Sequence, residues 1–175
     1  DITDDSTIKS KYTALAQAAR AVATPQIRSM GTIAGNLCQE VRCWYYRAPK
    51  NYFYCFLKGG LLCFAATGDS RYNAIIGGKV CFSACPSDTA IALGALNATI
   101  VTNKRDIPIG KFFGVGMNVL EDDEIVTEVR VPEPKSGTKQ AFTKFRLRKA
   151  IDFALSSVAT AITVVGGTVT DARIV

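Results

Sequence analysis

The chain has 175 residues and no histidine, which removes Ser-His-Asp catalysis, Cys-His pairs, histidine zinc sites and histidine proton shuttles. Acid–base work would fall to Asp, Glu, Lys, Tyr or Cys. No apolar run reaches the roughly 18 residues that a membrane-spanning helix needs, and the N-terminus lacks a basic-then-apolar signal pattern. The expectation is a cytoplasmic protein with no membrane partner. No initiator Met precedes Asp1, and the sequence stops inside Thr168–Val175, which reads as the outgoing half of a hairpin, so both ends are expected to be truncations. No tract of one charge sign is present: the net charge of +6 is spread along the chain, which points away from nucleic acid and suits an anionic small molecule equally well. Internal repeats and low-complexity tracts are also absent.

The chain is rich in apolar residues, at 48%, enough for a packed core. Its six cysteines all lie between Cys38 and Cys85. In a secreted protein they would suggest disulfides; without an export signal they suggest metal binding. From Ser10 to Ala23, Tyr12, Leu15, Ala16, Ala19 and Val22 recur at helical spacing, with Pro25 as a stop. Gln26 to Asn36 is turn-rich, and residues 37–82 are aromatic, Gly-rich and Cys-rich without either period, as expected of an irregular insert held by something other than apolar burial. Pro86-Ser87-Asp88 opens a helix to Leu96, followed by a strand at Ala98–Thr102 and a linker-like segment ending in Phe112-Phe113. A strand is expected at Glu124–Val131, a domain boundary at Pro132–Gly137, a strand at Gln140–Arg148, and two more strands around Gly166-Gly167.

Gly31-Thr32-Ile33-Ala34-Gly35-Asn36 could be a phosphate-binding turn, because small residues expose backbone N–H groups to an anion and Thr32 and Asn36 add side-chain donors. It could equally be a tight turn with no ligand. Thr24-Pro25-Gln26-Ile27-Arg28 followed by Gly31–Leu37 resembles the second flavin motif of the FAD-binding medium subunit of molybdenum hydroxylases, the family of xanthine dehydrogenase and carbon monoxide dehydrogenase. The resemblance continues in order through Pro86–Ala90, Ile107-Pro108, Phe112-Phe113, Leu120–Glu128, Phe142–Arg148 and Asp152–Ala154.

The resemblance implies an α+β fold: the second half of a two-lobed, PCMH-type FAD-binding domain over residues 1–134, and the beginning of a smaller α+β C-terminal domain over 135–175. It assigns Thr32, Ile33, Ala34, Gly35 and Asn36 to the FAD pyrophosphate, with Ala34 in place of the more usual glycine. Asp88 would accept hydrogen bonds from the sugar-like chain of the flavin, and Ile125 and Lys144 would lie near its ring, where a cation stabilises the reduced anion. The family's first flavin motif, an Ala-Gly-Gly segment, has no counterpart here. The implied partners are a molybdopterin-binding large subunit and a 2Fe-2S small subunit in a hetero-oligomer that relays electrons, with substrate chemistry on another chain.

An insert at about residues 38–82 interrupts the family pattern and resembles that of the flavin subunit of 4-hydroxybenzoyl-CoA reductase, where four cysteines hold an additional 4Fe-4S cluster. Matching positions give Cys43, Cys55, Cys63 and Cys81, with Cys38 or Cys85 as substitutes for Cys81. Four thiolates can bind a soft iron–sulfur core, and the cluster supplies order that a small loop cannot obtain from burial. The alternatives are a structural zinc site in a non-catalytic interaction module, or unliganded or paired cysteines. The aromatic residues Trp44, Tyr45, Tyr46, Tyr52, Phe53 and Tyr54 would wrap a cluster rather than stack bases. Glu121–Glu124 reads as a solvated turn.

Overall fold

The computed structural model describes all 175 residues, which fall into two compact units. The first comprises Asp1–Leu37, Ser87–Phe112 and Leu120–Val175; the second comprises Cys38–Pro86 and Phe113–Val119. No helix is long and apolar enough to cross a membrane.

The first unit begins with helices α1 (Ser6–Lys11) and α2 (Thr13–Ala21). The single helix expected from Ser10 to Ala23 is divided because Tyr12 leaves helical geometry, with φ −128° and ψ 50°. The turn-rich stretch that follows contains two short helices, α3 (Pro25–Met30) and α4 (Ile33–Leu37). Pro25 supplies the first helical residue of α3, and the Thr24 hydroxyl accepts from the Ile27 amide at 3.3 Å. Each is too short to carry a readable 3.6-residue period.

Two antiparallel three-stranded sheets complete the unit. In one, β1 (Thr99–Thr102) lies between β2 (Asp106–Pro108) and β3 (Val126–Arg130). In the other, β5 (Ser156–Val165) lies between β4 (Thr138–Phe145) and β6 (Thr168–Ile174), with Phe142 opposite Ala159. The segment before Phe113, read from sequence as a linker, supplies β2 and the short helix Ile109–Phe112.

Helix α6 (Asp88–Ala95) starts where the Ser-Asp motif predicts: the Ser87 hydroxyl accepts from the Ala90 amide at 3.1 Å and Asp88 occupies the first turn. Helices α2 and α6 pack on β5 through Ala14, Ala18, Ala92, Ala95, Ala159 and Ala161, all buried. Methyl-sized contacts let the three backbones approach closely. Helix α2 also covers the open edge of β4, where Gln17 Oε1 accepts from the Phe142 amide at 2.8 Å and Gln140 Nε2 donates to the Lys11 carbonyl at 2.9 Å.

Of the acidic turn, Glu121, Asp122 and Asp123 are exposed as expected, whereas the Glu124 side chain is wholly enclosed. Arg105 donates to both of its oxygens at 2.9 Å, Thr102 Oγ1 donates at 2.7 Å and the Glu121 amide at 3.1 Å. These donors, Arg105 first, lower the Glu124 pKa from 4.5 to about 2. A carboxylate that resists protonation in the folded state contributes stability that is complete above pH 4.5 and is lost as the pH falls towards about 2. Glu124→Gln should therefore melt earlier at neutral pH and have a flatter acid limb than the wild type. Parallel melting curves for the two proteins over that acid range would refute the linkage.

The second unit has little regular structure: a turn of helix at Trp44–Arg47, α5, and three short 3-10 turns. Its buried cluster is small, consisting of Val41, Tyr46 and Cys55 with Cys43 and Leu57 packed against them. Burial and the Glu40 carboxylate, to which Tyr46 donates at 2.8 Å, push the Tyr46 phenol up to about 12. Aromatic rings brace the rest: Tyr45 meets Phe53 edge-on at 4.9 Å, and Trp44 lies 5.4 Å from Tyr72.

Candidate functional site

The first unit brings together the residues that the flavin resemblance singles out. Helix α4, which begins within the glycine turn, packs against both α6 and β3, so the turn, Asp88 and the approach to Ile125 share one region. The Thr32 hydroxyl accepts from the Gly35 amide at 3.0 Å, and the Thr32 carbonyl accepts the first helical bond, from Asn36, at 3.0 Å. The amides of Ile33 and Ala34 precede the helical ladder and have no backbone acceptor. Thr32 and Gly35 are exposed, and a Cβ at position 35 would press on the Thr32 hydroxyl at 3.1 Å. This small, open, donor-rich start is suited to an anion such as a diphosphate.

Asn36 faces inward. Its Oδ1 accepts from Ser87 Oγ at 2.7 Å and from Thr89 Oγ1 at 2.6 Å, fastening the glycine turn to the start of α6. Its carbonyl-type oxygen therefore positions the turn, a role that the motif alone does not reveal.

Asp88 and Lys144, 56 residues apart in sequence, form an ion pair, with Nζ 2.6 Å from Oδ2. The side chains are only 7% and 4% exposed, respectively. Burial pushes the Asp88 carboxyl above its usual range, and the Lys144 ammonium opposes that shift. Lys144 also donates to the Ala21 carbonyl at 3.3 Å, the carbonyl that receives Arg146 at 3.2 Å. Ile125 is pinned through its backbone, its amide donating to Asn103 Oδ1 at 2.8 Å and its carbonyl accepting from the Asn103 amide at 3.0 Å. The residue is 66% exposed, an apolar surface held in place.

In the second unit the cysteines are not equivalent. Cys55 is buried, and Cys43, Cys63 and Cys81 lie near enough to act electrostatically on its thiol. Burial raises the Cys55 thiol pKa, and a hydrogen bond from the Leu57 amide works against that rise. Cys43 Sγ accepts from Asn73 Nδ2 at 3.5 Å; Cys81 Sγ lies 3.0 Å from Ser83 Oγ and accepts from the Ser83 amide at 3.5 Å.

The loop after Cys55 depends on Gly60, whose amide returns to the Cys55 carbonyl at 3.1 Å; a Cβ there would fall 1.5 Å from the Tyr54 carbonyl oxygen. No three Cys, Asp or Glu groups converge on a point that could hold one metal ion. A tetrahedral zinc, with Zn–S of about 2.3 Å, needs sulfurs roughly 3.8 Å apart; an iron–sulfur cluster, being larger, needs a wider setting.

Comparison with known proteins covers parts of both units. The sequence pattern described as FAD binding domain in molybdopterin dehydrogenase matches residues 1–43 and 59–134, breaking within the cysteine-rich segment. The chain is 32% identical over 171 residues to the aldehyde oxidoreductase FAD-binding subunit PaoB of Escherichia coli (strain K12), covering 91% of this chain and 53% of that protein. It is 29% identical over 168 residues to the nicotinate dehydrogenase FAD-subunit of Eubacterium barkeri, covering 91% of this chain and 39% of that one. Its fold is shared with a chain of carbon monoxide dehydrogenase from Hydrogenophaga pseudoflava, with a TM-score of 0.66, 24% identity and coverage of 99% of this chain and 47% of that chain. The sequence thus spans about half the length of the curated relatives it matches. With the pattern matched over more than half of its residues, and with the predicted α+β arrangement found, this chain belongs to the family of FAD-binding domains of molybdopterin dehydrogenases.

Proposed function

We propose that this chain is part of the flavin subunit of a cytoplasmic, molybdopterin-dependent oxidoreductase, that it relays electrons between iron–sulfur centres and FAD, and that its insert binds a 4Fe-4S cluster. The observation that carries the flavin half is the shared region formed by the glycine turn, α6 and β3 within a family defined by FAD binding. Bound FAD would supply the one- and two-electron chemistry. Thr32, Ile33, Ala34 and Gly35 would receive the diphosphate on amides and a hydroxyl, while Asn36 holds their helix in place. Asp88 would offer its second oxygen to the flavin's sugar-like chain, Lys144 would fix Asp88, and Ile125 would lie against the ring.

The cluster half rests on this chain's own cysteines. Cys43, Cys63 and Cys81 lie near enough to the buried Cys55 to act on its thiol, and three of the four accept hydrogen bonds at sulfur. That arrangement favours a thiolate-bound iron cluster over a single zinc ion. The partners this reading calls for are a molybdopterin-binding large subunit and a 2Fe-2S small subunit, and the substrate would be transformed on the former.

Anaerobic purification of the full-length protein, followed by flavin, iron, sulfide and zinc analysis, tests both halves. Stoichiometric FAD with equal amounts of iron and sulfide is expected. Zinc without flavin would establish the interaction-module alternative instead, and FAD without iron would remove the cluster alone.

A further inference from the structure

Three cationic side chains and one carboxylate crowd the C-terminal end of α2. Lys144 Nζ lies 3.3 Å and Arg146 Nη1 3.2 Å from the Ala21 carbonyl, and Arg28 Nη1 lies 2.6 Å from the Val22 carbonyl. Asp88 is the carboxylate, and its Oδ2 is taken up by Lys144 at 2.6 Å. No carboxylate stands within ion-pair distance of Arg146 or Arg28. The end of a helix contributes roughly half a negative charge, which leaves the group clearly positive.

The excess does not reside where the family motif suggests. A lysine and a carboxylate in contact form a dipole whose field falls off faster than that of a lone charge. Arg146 is bound to a neutral carbonyl with no carboxylate in salt-bridge contact, and Asp88 feels its charge only at longer range, after that of Lys144. It lies two residues beyond Lys144 and shares its acceptor, so it adjoins the same part of the site.

We propose that Arg146, and not Lys144, supplies the working positive charge beside the flavin: Lys144 is neutralised by Asp88 and serves to position it, while Arg146 stabilises the negative charge that the ring gains on reduction. This inference rests on the flavin reading above and assigns the electrostatic role within it. It predicts a redox signature that packing alone would not produce.

The test is a spectroelectrochemical titration of the flavin in the full-length protein. Arg146→Gln should favour the oxidised flavin by at least about tenfold, a fall of about 30 mV for a two-electron couple; Arg146→Lys should stay near the wild-type potential. Arg148→Gln is the control, because Arg148 is exposed and already paired with Asp152 at 3.3 Å; it should not move the potential. Asp88→Asn should raise the potential, because it frees the Lys144 charge. An Arg146→Gln potential matching the Arg148→Gln control overturns the proposal, as does an Asp88→Asn potential that is unchanged or lower, a result obtainable even if Arg146→Gln does not accumulate. A purely structural arginine would lower the melting temperatures of the Gln and Lys variants alike and leave the potential in place. Absence of flavin from the wild type would overturn the flavin reading itself, whereas bound flavin with an unmoved potential overturns this inference alone.

Discussion

Asp88→Ala should destabilise the full-length protein by about 3–5 kcal/mol, the usual cost of leaving one member of a buried ion pair without its partner. The Lys144 side chain is 4% exposed, so the stranded ammonium could not reach water without moving β4 away from α6. The reverse change, Lys144→Met, should cost less. Burial already pushes the Asp88 carboxyl towards its neutral form, so the remaining acid can take up a proton instead of staying charged. Replacing both residues by apolar ones of similar size should be milder than Asp88→Ala alone, and the difference is read by a double-mutant cycle in urea at neutral pH. A loss below about 1 kcal/mol for Asp88→Ala would mean that the pair behaves as a solvated surface bridge.

The second large effect concerns Cys55. Cys55→Ser should abolish most of the iron and sulfide content and the accompanying visible absorbance, because a hydroxyl does not replace a thiolate as a ligand to a soft cluster. Its effect should spread through the second unit, whose buried cluster contains Val41, Tyr46 and Cys55 itself and cannot order the 38–86 segment unaided. Faster proteolysis within that segment is expected alongside the iron loss. FAD should be retained, because every residue assigned to it lies in the other unit. Cys38→Ser and Cys85→Ser should keep their iron. If Cys55→Ser retained full iron content, the ligand set would be wrong, and loss of iron from Cys85→Ser would exchange Cys85 for Cys81.

Some of this architecture was legible in the residues because its cause is local. Ser87 before Asp88 and an apolar run marks a capped helix, and α6 begins there. Gly166-Gly167 between two alternating apolar stretches marks a hairpin, and β5 and β6 flank that turn. The division at Tyr12 and the short helices α3 and α4 escaped a periodic reading because a helix of one or two turns shows too little of its period. The strand at Asp106–Pro108 escaped because three residues with a proline carry almost no alternation.

At the site, the family motif names candidate residues, but how they pair was not readable. The motif gives Asp88 and Lys144 as separate flavin contacts; the fold joins them across 56 residues. Asn36 reads as a donor towards a ligand, whereas its oxygen is engaged by Ser87 and Thr89. Such choices depend on which chain segments become neighbours, information that no single motif contains.

The alanine seam between α2, α6 and β5 bears on all of this. Surfaces that meet through methyl groups have almost no side-chain slack, and tightly packed interiors of this kind are barely compressible. A charge arriving near the mouth of α6 would therefore meet dipoles that stay where they are. If the chain carries electrons as proposed, such stiffness would keep reorganisation small, so that each transfer would spend little free energy on rearranging its surroundings.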